Sequence, residues 1–419
     1  MITLGLFLLI AALLVLRQNL ILILFSCAAY VHYFYGDGVL EYIIEDMWIG
    51  LDKEVLLSIP LFILCGNVMT RGVIAQRLIR IVSLLTAPLP GGLAVATIFS
   101  CAIFSAISGS SAVTLLSVGA VMYPALLKAG YSKKFALGSL ASGGTLGVVI
   151  PPSIPLILYG IVTETSITDM FKAGIIPGLL LTGLMAIYAF YANRHIPRQQ
   201  WDSGDILASL KDGVWSLLMP VILLGGIYSG YFSPTEAAAV ALAYALIVEI
   251  FIHRDMKGAE FYDTALSTAK LLGTLYPLIA LAMSLNLLLT AEQVPQNLTA
   301  WVASHVDSPI AFLLAINVLL LIVGCFLDIN AGILILAPII LPLAMAFGID
   351  PVHLGIIMVV NLELGFLTPP IGINLMIAMT AFKEKFKLIC VSVIPFVLII
   401  LAVILAVTFI PALSMSLIT

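Results

Sequence analysis

The chain has 419 residues, of which 62% are apolar and only 10% are Asp, Glu, Lys or Arg, against roughly 25% charged residues in a soluble globular chain. So little charge cannot cover a soluble protein of this length, so the solvent is mostly lipid. The formal net charge of −4 points to no nucleic-acid partner, and the placement of charge matters more than its sum.

From the N-terminus, apolar stretches predict spans near 2–16, 20–35, 55–70, 134–162, 170–192, 213–230, 235–252, 268–290, 352–380 and 388–414. The first run has no basic residue before it and no clear small-residue cleavage site, so it reads as a retained span. Two stretches, 92–128 and 308–346, are too long for one straight crossing of about 20 residues. Each carries a polar or Gly-containing break near its middle and reads as a re-entrant helical hairpin. Such backbone is tolerated at membrane depth only where protein or a cavity covers it. Two amphipathic stretches, 39–54 and 257–270, each precede a span and read as arms in the interface plane. The chain therefore divides into four parts. Residues 1–90 are scaffold helices with an arm, and 91–192 hold the first hairpin and a broken span. Residues 193–307 are scaffold with a second arm, and 308–419 hold the second hairpin and broken span.

Basic residues cluster at Arg71/Arg77/Arg80, Lys128/Lys133/Lys134, Arg194/Arg198/Lys211, Arg254/Lys257/Lys270 and Lys383/Lys385/Lys387. The intervening loops are acidic: Asp37, Glu41, Glu45 and Asp46; Glu164 and Asp169; Glu292 and Asp307; Asp350. The positive-inside rule puts the first group in the cytoplasm. Both termini then fall outside, the first hairpin opens to the cytoplasm and the second to the exterior. Five cysteines lie in apolar stretches without CxxC spacing, and five histidines lie far apart. Small buried hydrophobes and no transition-metal site are the expectation.

Shifting the sequence by 218 positions brings Pro124 onto Pro342, Gly130 onto Gly348, Leu146-Gly147 onto Leu364-Gly365, Pro151-Pro152 onto Pro369-Pro370 and Pro177 onto Pro395. Gly and Pro dominate, so backbone geometry is what the halves share. The matched loop 128–134 is basic and 346–352 acidic, so the copies are inverted. Inverted repeats about a midplane site mark secondary transporters.

The first hairpin turns at Ile107-Ser108-Gly109-Ser110-Ser111 and the second at Gly324 to Asn330, so that Ser110 aligns with Asp328. The matched spans break at Gly143 to Ser153 and Gly365 to Pro370. Proline removes a donor and frees a carbonyl one turn earlier. Freed carbonyls and hydroxyls suit a hard cation such as sodium, and half-helix N-termini suit an anion. Each tip facing a broken span makes one cation site, with the solute between the tips. Simpler readings stand beside these: prolines as kinks, serines and the Gly143/Gly147 pair as packing residues, Asp328 as a helix cap. A carboxylate at membrane depth costs roughly 2.5–3.5 kcal/mol, so Asp328 has a task or a partner. No GxSxG elbow, no GxxxxGK[ST] loop and no Ser/His/Asp set occurs; an ion gradient, not ATP, is the expected energy source, and no enzyme activity is expected.

These residues carry a family resemblance over nearly the whole chain. Ser58-Ile59-Pro60-Leu61-Phe62, Ile107 to Ala112, Gly144 to Ile154, Ser233-Pro234-Thr235-Glu236-Ala237 and Gly365 to Gly372 resemble the large, DctM-like membrane subunit of a tripartite ATP-independent periplasmic (TRAP) transporter. The resemblance implies an all-α elevator transporter of the ion transporter superfamily, in the cytoplasmic (inner) membrane. It implies import of a small organic anion, often a carboxylate, with sodium. It also implies two partners: a small four-helix membrane subunit and a soluble periplasmic substrate-binding protein. Carried over, Ser108, Ser110, Gly147 and Pro151 make one sodium site, and Gly324, Gly365, Thr368 and Ile371 the other. Ser110, Ser111, Ser153, Asp328 and Asn330 line the solute pocket. The alternatives are a stand-alone sodium/dicarboxylate symporter without a binding protein and, less in keeping with the pattern, a membrane enzyme on lipid-linked substrate. Glu236 reads as a cap on a helix starting at Pro234.

Overall fold

The computed structural model describes residues 5–418 except 6, 7, 10, 11, 14, 15, 17, 36–38, 199–202, 292 and 307. The span expected over 2–16 lies mostly outside the described residues, as do Asp37, Glu292 and Asp307. Among the described residues all regular structure is helical. Nine of these helices are long and apolar enough to cross a membrane, or ten if one pair bent by 58° is a single span.

Helix α1 (Leu20–Tyr35) is followed by the arm α2 (Tyr42–Leu51), one 3-10 turn (Glu54–Leu57) and α3 (Ser58–Arg71). The arm buries Ile43 and Gly50 and exposes Ile44 and Trp48. Positions four apart share a helix face, so its outer side presents the amphipathic tryptophan expected at a membrane interface. Next comes a helix that the sequence reading treats as a basic loop, α4 (Ile74–Thr86). Its apolar residues Ile74, Leu78, Ile81 and Val82 are buried, while Arg80 is exposed and Arg77 reaches Asp212 at 2.9 Å. The cap of α4 comes from far away in sequence. The Glu249 carboxylate accepts hydrogen bonds from Val73 N–H at 3.2 Å and Ile74 N–H at 2.9 Å.

Helices α5 (Gly92–Ser108) and α6 (Ser111–Lys128) meet at Gly109-Ser110. The span expected at 134–162 is two helices, α7 (Lys133–Val149) and α8 (Ile154–Thr163), interrupted at the double proline. Helix α9 (Ile167–Asn193) closes this half. A helix in the expected loop, α10 (Ser203–Asp212), bends into α11 (Val214–Tyr228). At the start of α12 (Pro234–Ile247), Ser233 and Glu236 form a reciprocal capping box. There Glu236 accepts from Ser233 N–H at 2.8 Å, and Ser233 Oγ accepts from Glu236 N–H at 3.2 Å. Helix α12 ends in a π turn, Val248–Ile252, which carries Glu249.

The second arm differs from the expectation. Residues expected as a separate stretch at 257–270 and a span at 268–290 form one 34-residue helix, α13 (Gly258–Ala291). Nothing between them is a strong helix breaker: Thr264 to Leu272 is helix-compatible, and Pro277 lies inside the rod. A short helix, α14 (Val294–Ala303), occupies part of the expected loop.

Helices α15 (Pro309–Phe326) and α16 (Ile329–Ala346) meet at Leu327-Asp328. The second broken span is α17 (Pro351–Gly365) and α18 (Ile373–Phe382), followed by α19 (Phe386–Phe409) and the short α20 (Ala412–Met415). Several boundaries recur 218 positions on: 108 and 326, 111 and 329, 128 and 346, 133 and 351. Both double prolines contain a cis bond, at 151–152 and 369–370. Packing recurs too. Helices α5 and α6 lie on α7, as α15 and α16 lie on α17; α8 packs on α16, as α18 packs on α6. The first halves of both broken spans form the centre: every residue from Phe135 to Val149 and from Val352 to Gly365 is buried. Helix α7 can sit there because Gly and Ser dominate its middle and let neighbouring backbones approach.

Candidate functional site

Four helix N-termini converge on one cavity of about 570 Å³. They belong to α6, α8, α16 and α18, and the cavity is lined by Ser110 to Val113, Ile154 and Pro155, Asp328 to Ala331, and Ile373 and Asn374. Helices α3 and α13 close the other side with Asn67, Ser267 and Thr274. The Asn67 amide donates to Thr268 at 2.9 Å, joining these two walls. First-turn N–H groups have no partner inside their own helix, so this arrangement points positive partial charge at the cavity.

The residues expected for the first cation site come together. Gly109 adopts a left-handed φ of 59°, and a Cβ there would lie 2.9 Å from the Pro152 carbonyl oxygen. Glycine therefore lets the first tip sit inside the break between α7 and α8, where Ile154 N–H donates to Gly109 O at 3.4 Å. Ser108 Oγ lies 2.9 Å from Thr114 Oγ1. A Cβ on Gly147 would lie 2.8 Å from Ser110 O and 3.0 Å from Thr114 Oγ1. Ser108, Ser110, Thr114 and Gly147 thus form a cluster rich in oxygen, with Pro151 in the adjoining buried loop. Thr114 is a member that the sequence reading missed; its spacing of six from Ser108 spans the turn and is not a helical repeat.

At the second site Gly324 and Gly365 touch backbone to backbone. A Cβ on Gly365 would lie 2.3 Å from the Gly324 carbonyl carbon. Thr368 donates its hydroxyl to Leu364 O at 2.8 Å, which leaves its oxygen lone pairs as acceptors. Ile371 belongs to the same loop and is 42% exposed. The two breaks differ: Pro151, Pro152 and Ser153 are buried, whereas Pro369, Pro370 and Ile371 are exposed. Among the described residues no group of three or more His, Cys, Asp or Glu side chains could hold a metal. The oxygens gathered here are carbonyls and hydroxyls, a donor set for a hard cation.

Of the expected solute contacts, Ser110, Ser111, Asp328 and Asn330 line the cavity. Ser153 is the exception. Its side chain is fully buried, its hydroxyl donates to Val148 O, and it accepts from Leu156 N–H at 3.5 Å as the cap of α8. The capping demand of a broken helix takes this hydroxyl away from the pocket. Asp328 combines two roles: its Oδ2 accepts from Asn330 N–H at 3.0 Å, and it borders the cavity.

Two further polar groups were not read from the sequence. Asn374 is fully buried and donates to Ser111 Oγ at 2.5 Å and to Ala141 O at 3.3 Å. It ties the second broken span to the first tip. Glu363 is fully buried beside Thr145, which occupies the matching position in the first half. A polar residue in an otherwise apolar run is the signal that each offered.

The family model for the "Tripartite ATP-independent periplasmic transporter, DctM component" matches residues 6–413. A C4-dicarboxylate TRAP transporter large permease protein DctM of Pseudomonas aeruginosa is 43% identical over 375 residues, covering 87% of this chain and 86% of that protein. An isethionate TRAP transporter permease protein DctMQ of Oleidesulfovibrio alaskensis is 38% identical, covering 91% of this chain and 60% of that protein. Among solved structures, the Alcanivorax borkumensis YdaH transporter superposes with a TM-score of 0.63 at 16% identity, covering 92% and 91% of the two chains. That likeness concerns the fold alone.

Proposed function

The chain belongs to the DctM component family of tripartite ATP-independent periplasmic transporters, and on that premise we propose that it imports a small organic anion coupled to sodium. It is a multi-pass membrane permease component for organic acids and not an enzyme. The finer reading is ours. A periplasmic binding protein delivers the solute, and a small four-helix membrane subunit braces the scaffold. The named relatives handle a C4-dicarboxylate and isethionate, so a small carboxylate or sulfonate is the solute class. The isethionate relative, named DctMQ, is longer than the match, which covers 60% of it.

The observation that supports this reading is the convergence of four helix N-termini on one cavity, with each tip seated beside a broken span. The N-termini favour an anion in the middle. The oxygens of Ser108, Ser110, Thr114 and Gly147 on one side, and of Gly324, Gly365, Thr368 and the backbone at Ile371 on the other, supply two sodium sites. The two hairpins and broken spans would travel together as an elevator against the scaffold of α3 and α13. The halves are inverted, both termini are periplasmic, and the location is the inner membrane.

The test is uptake into proteoliposomes that hold this chain with its small subunit, given the cognate binding protein with a solute found by thermal-shift screening. Uptake is expected only with sodium outside. Equal uptake driven by a proton gradient in sodium-free buffer sinks the sodium claim. Thr368→Ala removes one neutral oxygen ligand, worth about 1 kcal/mol or some fivefold in apparent sodium affinity, with little change in expression. An unmoved sodium titration would place the second site elsewhere.

A further inference from the structure

The aligned tips end in different residues, and this gives the cavity a polarity. At the first tip Ser110 is the N-cap of α6 but makes no side-chain cap hydrogen bond. The first-turn N–H groups of α6 therefore stay available to a ligand. At the second tip Asp328 caps α16 itself: its carboxylate accepts from Asn330 N–H. The Asn330 side chain also bonds Asp328, and its own Oδ1 is buried with no partner. One side of the cavity thus offers donors and the other offers acceptors.

Asn374 sharpens the contrast. Its amide nitrogen is identified by the Ala141 carbonyl, which can only accept. The same nitrogen donates to Ser111 Oγ, so the Ser111 hydroxyl proton is free to point at a ligand beside the α6 N-terminus. Asn374 Oδ1 is buried and unpartnered at the cavity wall, and the residue is 0% exposed. An orphaned buried acceptor is costly unless something arrives to satisfy it.

We propose that this cavity selects acids that carry a hydrogen-bond donor opposite their anionic group, and that Asn374 secures the anionic end by fixing Ser111 as a donor. The anionic group sits at the α6 N-terminus and Ser111. The hydroxyl or ammonium group at the other end meets Asp328 and Asn330 at the second tip. A plain dicarboxylate would set its second carboxylate against Asp328. Asn374 acts through Ser111 and is a positioning residue. The inference rests on the organic-acid reading above and narrows it.

The test uses the chain with its small subunit in nanodiscs with sodium, and four probes alike except at the far end: butyrate, succinate, 4-hydroxybutyrate and 4-aminobutyrate. The two donor-bearing acids are expected to bind about tenfold more tightly than butyrate or succinate, as sites built to hydrogen-bond a group reject analogues that lack it. Asp328→Asn keeps a good cap, so its melting midpoint is expected to hold while the 4-aminobutyrate advantage over butyrate falls about tenfold. In Asn374→Asp the new carboxylate captures the Ser111 proton, and affinity for all four acids is expected to fall about tenfold with the sodium midpoint unmoved. Succinate binding as tightly as 4-hydroxybutyrate overturns the inference and leaves the organic-acid reading standing. Failure of all four to bind, with and without sodium, overturns both. An unchanged 4-aminobutyrate advantage in Asp328→Asn, or unchanged affinities in Asn374→Asp, removes that residue from its role and overturns the proposal.

Discussion

Gly365→Ala is expected to raise the sodium midpoint for uptake by one to two orders of magnitude, because overpacking of this kind costs about 1–3 kcal/mol. The added Cβ would lie 2.3 Å from the Gly324 carbonyl carbon, 2.4 Å from its Cα and 2.6 Å from its oxygen. All three are backbone atoms, so no side chain can rotate away, and α15 and α17 must separate. The carbonyls of Gly324 and Gly365 are proposed ligands of the same ion, so one methyl displaces both. The first site is untouched, and the sodium dependence should become less steep as well as weaker. Sodium titration of uptake, with the amount of folded protein matched by size-exclusion chromatography, reads this directly. The matching substitution Gly147→Ala meets Ser110 O at 2.8 Å and Thr114 Oγ1 at 3.0 Å, where a side chain shares the strain, and its effect should be smaller. A normal titration for Gly365→Ala would show that the close approach of the two backbones has no part in ion binding.

Glu249→Ala is expected to lower stability in detergent by about 3 kcal/mol, since two N–H groups at the start of α4 lose a charged acceptor at once. The bonds are those to Val73 and Ile74, at 3.2 and 2.9 Å. A Cβ on Gly72 would lie 2.1 Å from the Glu249 carboxyl carbon, so the carboxylate fills the space that glycine leaves. The alanine variant opens a gap there as well. Glu249→Gln keeps the shape and one acceptor oxygen, and should recover about half of the loss. Thermal unfolding followed by a buried-cysteine probe separates these outcomes. Equal melting midpoints for all three forms would mean that α4 is held by its apolar face alone.

Much of the fold is legible because membrane folding uses local signals. A run of about 20 apolar residues is itself the message, and the double prolines interrupt helices wherever they stand. Residues 151–152 and 369–370 accordingly mark the two breaks, and 109–110 and 327–328 the two tips. The misreadings have local causes too. Arg77 and Arg80 mark a loop in the sequence, yet α4 needs only one apolar face to be a helix. At 257–290 a change from polar to apolar reads as two elements, but a change of solvent along a helix need not interrupt its hydrogen bonds, and α13 is continuous.

The sequence by itself determined that the chain is a helical membrane protein, that its halves share a Gly and Pro pattern, and which tip residues border the cavity. Those properties follow from backbone chemistry acting within four or five residues. Only the tertiary structure decided what each polar side chain does. Ser153 turns inward because a broken helix needs a cap, while Ser110, at the start of α6, does not cap. Asn374 reaches across 263 positions to Ser111, and Glu249 crosses 175 to reach Ile74. A buried polar group must find its partner wherever packing places one, and that partner has no fixed distance along the chain.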